Sequence, residues 1–473
     1  MRRVVVMLVA CAVSGTVQGQ WEHAAPSARV EGAEAPRSVG AIGRAIEEAE
    51  EGAVVEIGPG VYREHVRIGK RVTLVGRGRP VIDGGGSGDV VEITAPGVTL
   101  RGFVVRNTGA DLDRENAAIR AVAPGAVIED NILEDILFGI DLRESPGSVV
   151  RGNVIGGKRL EVARRGDGLR LWRCDGALIE GNTIHDGRDA ILWYSSGVTV
   201  RGNRSDRCRY GLHLMFSDDV RIEGNEFARN SVGIYLMYSS GVELTGNRLV
   251  LNRGPSGYGI GLKETDRFRV TGNVIAGNRV GVYIDGSPFT GAEPGGFTLN
   301  QIAFNDIGVT FLPSARGNEF TRNNFIDNIE QVSVAGRGSL EANRFWKGET
   351  GNFWSDYTGY DQNNDGIGDF VHVSETLFER MMDREPKLRL FLFSPAQQAV
   401  EFVGRAVPSI RPEPKFEDEV PLMRPVRIPA LEEGGEGVSR RLALTGLGLL
   451  AVGLGIVGSA RDRVVAEQGG RRA

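Results

Sequence analysis

Three consecutive stretches of the chain read Gly197-Val-Thr-Val-Arg-Gly-Asn-Arg204, Asp219-Val-Arg-Ile-Glu-Gly-Asn-Glu226 and Gly241-Val-Glu-Leu-Thr-Gly-Asn-Arg248. In each of them apolar and polar residues alternate, which is the pattern of a β-strand that buries one face. A Gly-Asn pair then closes the stretch, and glycine permits the sharp corner that must follow a short strand. The same unit of strand and corner is therefore predicted three times in succession.

The Gly-Asn pair recurs along the middle of the chain, most regularly at Asn203, Asn225 and Asn247, which are 22 residues apart. The asparagines of the seven pairs in this series are Asn153, Asn182, Asn203, Asn225, Asn247, Asn273 and Asn318. A repeat of this length that tolerates insertions is typical of a solenoid, in which every repeat forms one coil. Coils of two or three short strands predict an all-β fold, a right-handed parallel β-helix. The asparagines, with a second series at Asn230, Asn252 and Asn278, are interpreted as structural residues stacked at the corners.

The β-helix is predicted to cover residues 38–375, beginning with an amphipathic capping helix at residues 38–51. Solenoid ends need closing because the terminal coils otherwise expose their apolar interior. Residues 376–438 are predicted to form a C-terminal extension. It contains a helix that starts at Pro395 with Ser394 as its N-cap. A proline-rich, extended segment follows from Pro408 to Pro429, and such a segment can lie along a partner surface.

Residues 1–20 have the pattern of a secretory signal peptide, with two arginines, a short apolar run and small residues near Gly19. A lipoprotein signal is the alternative, since Leu8-Val-Ala-Cys11 resembles its cleavage motif. The sequence therefore predicts export. The two remaining cysteines, Cys174 and Cys208, fall at different corners of the repeat and are predicted to be buried thiols. The net charge of −5 indicates that nucleic acid is not a partner.

Near the other end, residues 440–460 form a candidate transmembrane helix. The run from Leu442 to Ala460 is 19 residues long and uncharged. At ~1.5 Å per residue such a helix can just cross the ~30 Å hydrocarbon layer of a bilayer. Arginines beside it, and in the short basic tail 461–473, favour a cytoplasmic C-terminus and a tether to the inner membrane. The alternative is a glycine-rich hydrophobic helix that packs on protein.

A second strand follows each Gly-Asn corner, and its alternate residues form two columns on the outer face. The columns are Ile191, His213, Tyr235, Gly261 and Tyr283, and beside them Trp193, Met215, Met237, Lys263 and Asp285, with Trp172 one coil earlier. Neighbouring coils lie ~4.8 Å apart, so His213, Met215 and Met237 are predicted to converge on an exposed face. Imidazole and thioether groups suit Cu(I) better than calcium or magnesium. The alternative is that methionines and rings form a packing ladder or contact a partner.

The loop Asp361-Gln-Asn-Asn-Asp-Gly-Ile-Gly-Asp369 carries oxygen atoms at a spacing that can wrap a hard cation. Asp361, Asn363, Asp365 and Asp369 fall at loop positions 1, 3, 5 and 9, and a glycine at position 6 gives the sharp turn. Position 12 is His372, so the usual bidentate glutamate is missing. A Ca²⁺ site and a plain Asp/Asn/Gly turn both stay open.

A carbohydrate-binding or carbohydrate-active β-helix is the alternative functional class, with Trp172 and Trp193 as platforms for sugar rings. Lyases and hydrolases need carboxylates, or a base with arginine or lysine, around one bond. The outward candidates are Asp141, Arg143, Arg170, Lys263 and Asp285. They are expected to lie spread over several coils, and the chain has no Gly-x-Ser-x-Gly nucleophile motif. Catalysis is therefore not predicted.

Several motifs of this sequence occur together in one known family. They are Leu192-Trp-Tyr-Ser195, Leu214-Met-Phe-Ser217, Leu236-Met-Tyr-Ser239, Asn252-Arg-Gly-Pro-Ser-Gly-Tyr-Gly-Ile-Gly-Leu-Lys263, Asn352-Phe-Trp-Ser-Asp-Tyr-Thr-Gly-Tyr-Asp361, Phe393-Ser-Pro-Ala-Gln-Gln398 and Pro421-Leu-Met-Arg-Pro425. On these motifs, residues 38–430 resemble the NosD family of periplasmic β-helix proteins, which are needed to mature nitrous oxide reductase. The run from Leu192 to Lys263 and the Pro-Leu-Met-Arg-Pro segment are the most specific part of the likeness.

The resemblance implies a periplasmic accessory protein that works with an ABC-type ATPase (NosF), a permease (NosY) and a copper chaperone (NosL). Together these proteins deliver copper to the copper centres of nitrous oxide reductase. The resemblance also implies that the protein is not an enzyme, because ATP hydrolysis belongs to its partner. It favours transient Cu(I) binding at His213, Met215 and Met237, and it adds Met423 as a mobile ligand in the extended tail.

Overall fold

The computed structural model describes residues 40–336, 338–374, 376–410 and 413–432. Within these ranges the chain winds into a parallel β-helix whose walls are three parallel sheets of 12, 13 and 12 strands. The parallel β-helix predicted from the repeat is therefore confirmed. The predicted signal peptide 1–20, the candidate transmembrane helix 440–460 and the basic tail 461–473 lie outside the described residues.

In the described residues, twelve successive coils each contribute one strand to each of the three sheets, and Phe353–Trp354 adds a thirteenth strand to the second sheet. The first sheet contains Val54–Ile57, Thr73–Gly76, Thr99–Arg101, Val127–Glu129, Val149–Arg151, Leu178–Glu180, Thr199–Arg201, Arg221–Glu223, Glu243–Thr245, Arg269–Thr271, Gly295–Thr298 and Asn318–Thr321. The second contains Val61–Tyr62, Val81–Asp83, Val104–Arg106, Ile132–Ile136, Val154–Gly157, Thr183–His185, Arg204–Asp206, Glu226–Ala228, Arg248–Val250, Val274–Ala276, Gln301–Ala303, Asn324–Ile326 and Phe353–Trp354. The third contains Val66–Ile68, Val91–Ile93, Ala117–Ala121, Phe138–Arg143, Leu169–Trp172, Asp189–Trp193, Tyr210–Met215, Val232–Met237, Tyr258–Lys263, Val280–Asp285, Ile307–Phe311 and Glu330–Val334.

The core is filled by the apolar residues of the alternating pattern. In the first sheet Val200, Ile222 and Leu244 are in register on three successive coils, and all three are buried. Complete burial of one such side chain stabilises a fold by about 1.5–3 kcal/mol. Each further coil of the β-helix adds the same gain. The apolar residues of the alternating pattern are therefore the ones that face inward, and the polar residues face outward.

Buried asparagines form hydrogen-bonded ladders along two corners. The side-chain oxygen of Asn225 accepts from the backbone N–H and the side-chain amide of Asn203 at 2.8 and 3.0 Å. Asn225 in turn donates both kinds of bond to Asn247 at 3.0 and 2.9 Å. At the second corner Asn252 accepts from the N–H of Asn230 at 2.9 Å. The asparagines thus satisfy backbone groups that the tight corners remove from strand pairing.

An N-terminal capping helix, Ala41–Glu48, covers the first coil. Its residues Ile42 and Ile46 are buried in the core of the β-helix. The Glu64 carboxylate accepts hydrogen bonds from the N–H groups of Ile42 and Gly43 at 3.0 and 3.1 Å. These N–H groups belong to the first turn, where a helix has no carbonyl partners of its own. The open end of the solenoid is thereby closed by apolar contact and by hydrogen bonds.

Beyond the last coil the chain folds back onto the β-helix. Its helices are Leu377–Arg384, Pro395–Ala406 and Pro429–Glu432, its 3₁₀ helices are Pro386–Phe391 and Pro408–Ile410, and its strands His372–Val373 and Glu417–Asp418 pair with each other. An earlier 3₁₀ helix, Val162–Arg164, lies in a loop of the β-helix. The Ser394 hydroxyl accepts from the N–H of Gln397 at 3.3 Å, so the helix starts at Pro395 with the N-cap that the sequence indicates. Among the described residues, no helix combines the length and the apolar character needed to span a bilayer.

The proline-rich segment lies along this chain's own last coils. The backbone N–H and carbonyl of Val426 both bond to the side-chain amide of Asn324 at 2.7 Å. The ammonium group of Lys415, with 0% of its side chain exposed, lies 2.9 Å from the carboxylates of Glu330 and Asp383. The sequence predicts that this segment lies along a surface, and the structure shows that the surface is the end of the β-helix itself.

Candidate functional site

The two outward columns lie on the third sheet in the predicted register. In order they are Ile191, His213, Tyr235, Gly261 and Tyr283, and Trp172, Trp193, Met215, Met237, Lys263 and Asp285. His213 and Met215 share one strand, and Met237 lies on the next. Parallel pairing places Met215 directly opposite Met237. Three potential donor side chains therefore meet at the boundary between two coils.

One contact joins the two columns diagonally. The Nε2 atom of His213 lies 3.2 Å from the Sδ atom of Met237. Long side chains at diagonal positions on a sheet can reach each other in this way. Met215 and Met237 are both partly exposed. An imidazole nitrogen and a thioether sulfur thus face each other at the edge of an accessible surface, with the thioether of Met215 beside them.

His213 itself is only 7% exposed, so the prediction that it lies on an exposed face is wrong. The rings of Trp193, Tyr210 and Tyr235 surround the imidazole at centroid distances of 6.0, 5.1 and 6.3 Å. The alternation of the sequence shows which way a side chain points, whereas this cover comes from large rings on its own strand and on both neighbouring strands. The partly exposed side chains of Met215 and Met237 therefore form the accessible edge of this group.

Burial lowers the pKa of His213 to about 4, although the carboxylate of Asp189 acts in the opposite direction. The imidazole is therefore neutral at pH 7, and one of its nitrogens carries a lone pair. Its Nδ1 atom is buried without a hydrogen-bond partner among the described residues, and so is Nε1 of Trp193. Buried polar atoms are nearly always paired, so these two nitrogens are exceptions on this face of the β-helix.

The donor atoms fit a soft cation. Bonds from a metal to imidazole nitrogen and to sulfur are ~2.0 and ~2.3 Å in zinc sites, so one ion can touch two such donors up to ~4.3 Å apart. The 3.2 Å between His213 Nε2 and Met237 Sδ lies within that limit. In the described part of the chain no three His, Cys, Asp or Glu side chains gather into a metal-binding group. A metal site on this face therefore depends on the thioethers.

Met423 lies elsewhere in the molecule. Its backbone N–H donates to the carbonyl of Gly366 at 3.0 Å, and the preceding Leu422 pairs with Phe353 in the last strand of the second sheet. In the third sheet, five more strands lie between Tyr210–Met215 and the C-terminal end of the β-helix, where Met423 is found. At ~4.8 Å per strand they span about 24 Å. The structure therefore does not bring Met423 to the other three candidates.

The oxygen atoms of loop 361–369 are used by the loop's own turns. The carboxylates of Asp361, Asp365 and Asp369 each accept a backbone N–H of the same loop, at 2.9, 2.8 and 2.7 Å. The amide of Asn363 donates to Asp365 at 2.9 Å. Short polar side chains make such turns without any ligand. The geometry is that of an Asp/Asn/Gly turn, and it gives no support to calcium.

Charged side chains that the sequence places on separate coils are clustered in the structure. The fully buried carboxylate of Asp141 is paired with the guanidinium groups of Arg120, Arg143 and Arg170. Glu115 bonds to Arg170 at 2.7 and 2.8 Å and also pairs with Arg143. The expectation of dispersed charges is wrong here, because Arg120, Asp141 and Arg170 are in register across neighbouring strands. Both carboxylates are paired with guanidinium groups, so the cluster stabilises the stacking of these coils.

An aromatic ladder that was not predicted from the sequence borders the donor residues. Tyr194, Phe216 and Tyr238 each follow a member of the outer column, and their rings stack at centroid distances of 5.1 Å. All three have a φ of 52°, a left-handed conformation that large side chains rarely adopt. Tyr194 and Phe216 are 42% and 43% exposed. The repeated Leu-x-aromatic-Ser step was the signal available in the sequence, and it places a strip of exposed rings, the aromatic rim, beside the donor residues.

A sequence model of the family described as "Periplasmic copper-binding protein (NosD)" matches residues 151–359. Two curated relatives match over most of the chain, and both are called "Probable ABC transporter binding protein NosD". The relative from Pseudomonas aeruginosa is 35% identical over 369 residues, which cover 74% of this chain and 83% of the relative. The relative from Stutzerimonas stutzeri is 29% identical over 394 residues, which cover 73% and 80%.

Among solved structures, the chain is similar to the A-module of the mannuronan C-5 epimerase AlgE6 from Azotobacter vinelandii. The TM-score is 0.53 at 17% sequence identity, with 64% of this chain and 91% of that chain covered. A likeness at this level of identity supports the β-helix fold and carries nothing about chemistry.

Proposed function

This chain belongs to the NosD family of periplasmic copper-binding proteins, and on that premise we propose that it is a non-enzymatic accessory protein that receives and passes on Cu(I) during maturation of nitrous oxide reductase. It works beside an ABC-type transporter made of the permease NosY and the ATPase NosF, and it takes copper from the chaperone NosL. The name that both curated relatives carry, an ABC transporter binding protein, supports the coupling to a transporter.

The contact between His213 Nε2 and Met237 Sδ is the observation that carries the copper assignment. His213 and Met237 are the principal ligands, and Met215 is the third because it lies in register with Met237. All three donors are uncharged, which suits a soft monovalent ion and allows exchange with a partner's thiolate or thioether. Met423 is left out of this site because it lies at the end of the β-helix, beside Gly366.

Residues 440–460 tether the protein to the inner membrane in this proposal, next to the permease. The supporting observation is the uncharged run from Leu442 to Ala460 between arginines. Membrane fractionation of cells that express the full chain, or a chain ending at residue 432, checks the tether. Equal recovery of both in the soluble fraction would remove it.

Anaerobic titration with Cu(I), in competition with a chromophoric chelator, tests the site. We expect the purified protein to bind one equivalent of Cu(I), and His213→Ala or Met237→Ala to weaken binding at least about tenfold, since each removes one of three ligands. The matched controls are His65→Ala and Met423→Ala, which remove the same side chains from the exposed N-terminal coil and from the tail. They should bind copper as the unmodified protein does.

Two results would overturn the proposal. The site is wrong if the His213 and Met237 variants bind Cu(I) as tightly as their controls. The functional class is wrong if the protein fails to bind Cu(I) and instead binds an acidic polysaccharide, as a carbohydrate-recognising β-helix does.

A further inference from the structure

Lys263 occupies the position at which the thioether column stops. The outer column runs through Met215 and Met237, and its next member, directly in register with Met237, is Lys263. A lysine and a methionine side chain have similar length and reach. The neighbouring position thus holds a cation where a further soft donor of the same size would fit.

The ammonium group of Lys263 lies against the aromatic ladder that borders the donor residues. Its Nζ atom lies 5.6 Å from the centre of the Tyr238 ring, and Tyr238 is the residue that follows Met237. A lysine ammonium group is positively charged at pH 7. On its other side, Lys263 is in register with Asp285, whose carboxylate partly balances the charge.

The positive charge of Lys263 repels a bound Cu(I) ion, whose own charge is not neutralised by its ligands. His213, Met215 and Met237 are all neutral donors, so Cu(I) keeps its full positive charge when bound. Adjacent strands are ~4.8 Å apart, which is shorter than the ~8 Å Debye length at physiological salt. In a solvent-like dielectric, repulsion between two unit charges at such a distance weakens binding about fourfold.

We propose that Lys263 is an affinity-limiting residue that keeps Cu(I) exchangeable at the His213–Met237 site. The inference rests on the proposed function, because it concerns the same bound ion. A carrier must release its cargo to a partner, and a fixed cation beside the ion lowers the cost of release. The column position next to Met237 is also taken by a residue without a thioether, so no further sulfur donor is available there.

Substitutions at two positions test the proposal in opposite directions. Lys263→Met removes the charge and adds a thioether, so we expect the Kd for Cu(I) to fall at least tenfold and release to a chelator to slow in stopped-flow measurements. Lys263→Gln removes only the charge, and its severalfold gain in affinity should disappear between 0.05 and 0.5 M salt. Asp285→Asn removes the balancing carboxylate and should weaken binding severalfold at low salt.

Lys347→Met is the matched control, because Lys347 is an exposed lysine paired with Glu319 outside the third sheet. It makes the same change in net charge and should leave the Kd within twofold of the unmodified protein. If the unmodified protein binds Cu(I), and the Lys263 variants bind it with the same Kd and release rate as the control, this inference is overturned while the copper site stands. If none of these proteins binds Cu(I), the proposed function and this inference both fail.

Discussion

At the scale of single residues, one physical cause sets the properties of the donor site. Burial beneath Trp193, Tyr210 and Tyr235 lowers the pKa of His213 to about 4. A neutral imidazole offers a lone pair to a metal ion, whereas both nitrogens of a protonated imidazole carry a hydrogen and have no lone pair to offer. Burial therefore keeps the imidazole of His213 neutral in mildly acidic solution, where an exposed histidine would be protonated.

Asp167 shows the opposite effect of burial on an acidic group. It is 6% exposed, and burial together with the nearby Asp189 carboxylate raises its pKa to about 7. Its Oδ1 atom has no hydrogen-bond partner in the part of the chain that the structure describes. The unfolded chain ionises this group near pH 3.9. Its contribution to stability is therefore fully present below about pH 4 and is lost as the pH rises through about 7.

The Asp167→Asn variant should remove this pH dependence. In the unmodified protein we expect the ionisation of Asp167 to lower the free energy of unfolding by about 1–3 kcal/mol between pH 4 and pH 8. Asparagine is neutral throughout, so the variant should gain stability relative to the unmodified protein as the pH rises. Urea unfolding followed by circular dichroism at pH 5, 6.5 and 8 measures the difference.

Asp113→Asn is the control for this prediction, because Asp113 is an exposed loop carboxylate. Its difference from the unmodified protein should stay constant across the same pH range. A difference between Asp167→Asn and the unmodified protein that does not grow with pH would contradict the assignment of a raised pKa.

The sequence predicts the direction of these side chains better than their surroundings. Alternation within one strand is enough to place His213 and Met237 on the outer face. The pairing of Asp141 with Arg120 and Arg170 joins three coils whose spacing varies through insertions, and only the register reveals it. Ring packing over His213 likewise depends on side-chain volumes from neighbouring coils, about which the period of one strand carries no information.

At the scale of strands and corners, the asparagine ladder fixes how one coil sits on the next. Asn225 accepts from Asn203 and donates both to Asn247 and to the carbonyl of Val200, at 2.9 Å in the last case. Each ladder member therefore bonds the coil before it and the coil after it. A slip of one residue would break every bond of this kind, so the ladder maintains the register that places His213 beside Met237.

Asn225→Ala should destabilise the protein without changing its secondary structure. Alanine leaves the backbone N–H of Asn203 and the carbonyl of Val200 without their partners in a buried corner. Two unsatisfied buried groups cost about 2–4 kcal/mol together. The loss is measured as a lower urea midpoint at an unchanged m-value.

The comparison variant is Asn363→Ala, which removes the same amide from the exposed loop 361–369. We expect its cost to stay below about 1 kcal/mol, because water replaces the lost bonds. Equal losses for the two variants would show that the ladder adds nothing beyond ordinary turn bonds.

Elements with local signals could be predicted from the sequence, whereas docking could not. The capping helix has its apolar spacing, and the helix at Pro395 has Ser394 as its N-cap. The placement of the extension on the last coils depends on contacts such as that between Lys415 and Glu330, which are 85 residues apart. A proline-rich segment signals that it lies along a surface but not which surface.

At the scale of the whole molecule, the β-helix is closed at one end by Ala41–Glu48 and at the other by the C-terminal extension. The strand that carries His213 and Met215 is the seventh of 12 in its sheet. Coils on both sides therefore hold the donor residues in register, and a partner can approach them from the side along the aromatic rim. This placement suits a protein that exchanges a metal ion at its surface.

X-ray absorption at the copper K edge, on protein loaded anaerobically with one equivalent of Cu(I), identifies the ligands of the proposed copper site. We expect a nitrogen shell near ~2.0 Å from His213 and a sulfur shell near ~2.3 Å from Met215 and Met237. The nitrogen shell should disappear in His213→Ala, and the sulfur shell should weaken in Met237→Ala. A spectrum with nitrogen or oxygen ligands alone, or one that neither variant changes, would contradict a copper site on the third sheet.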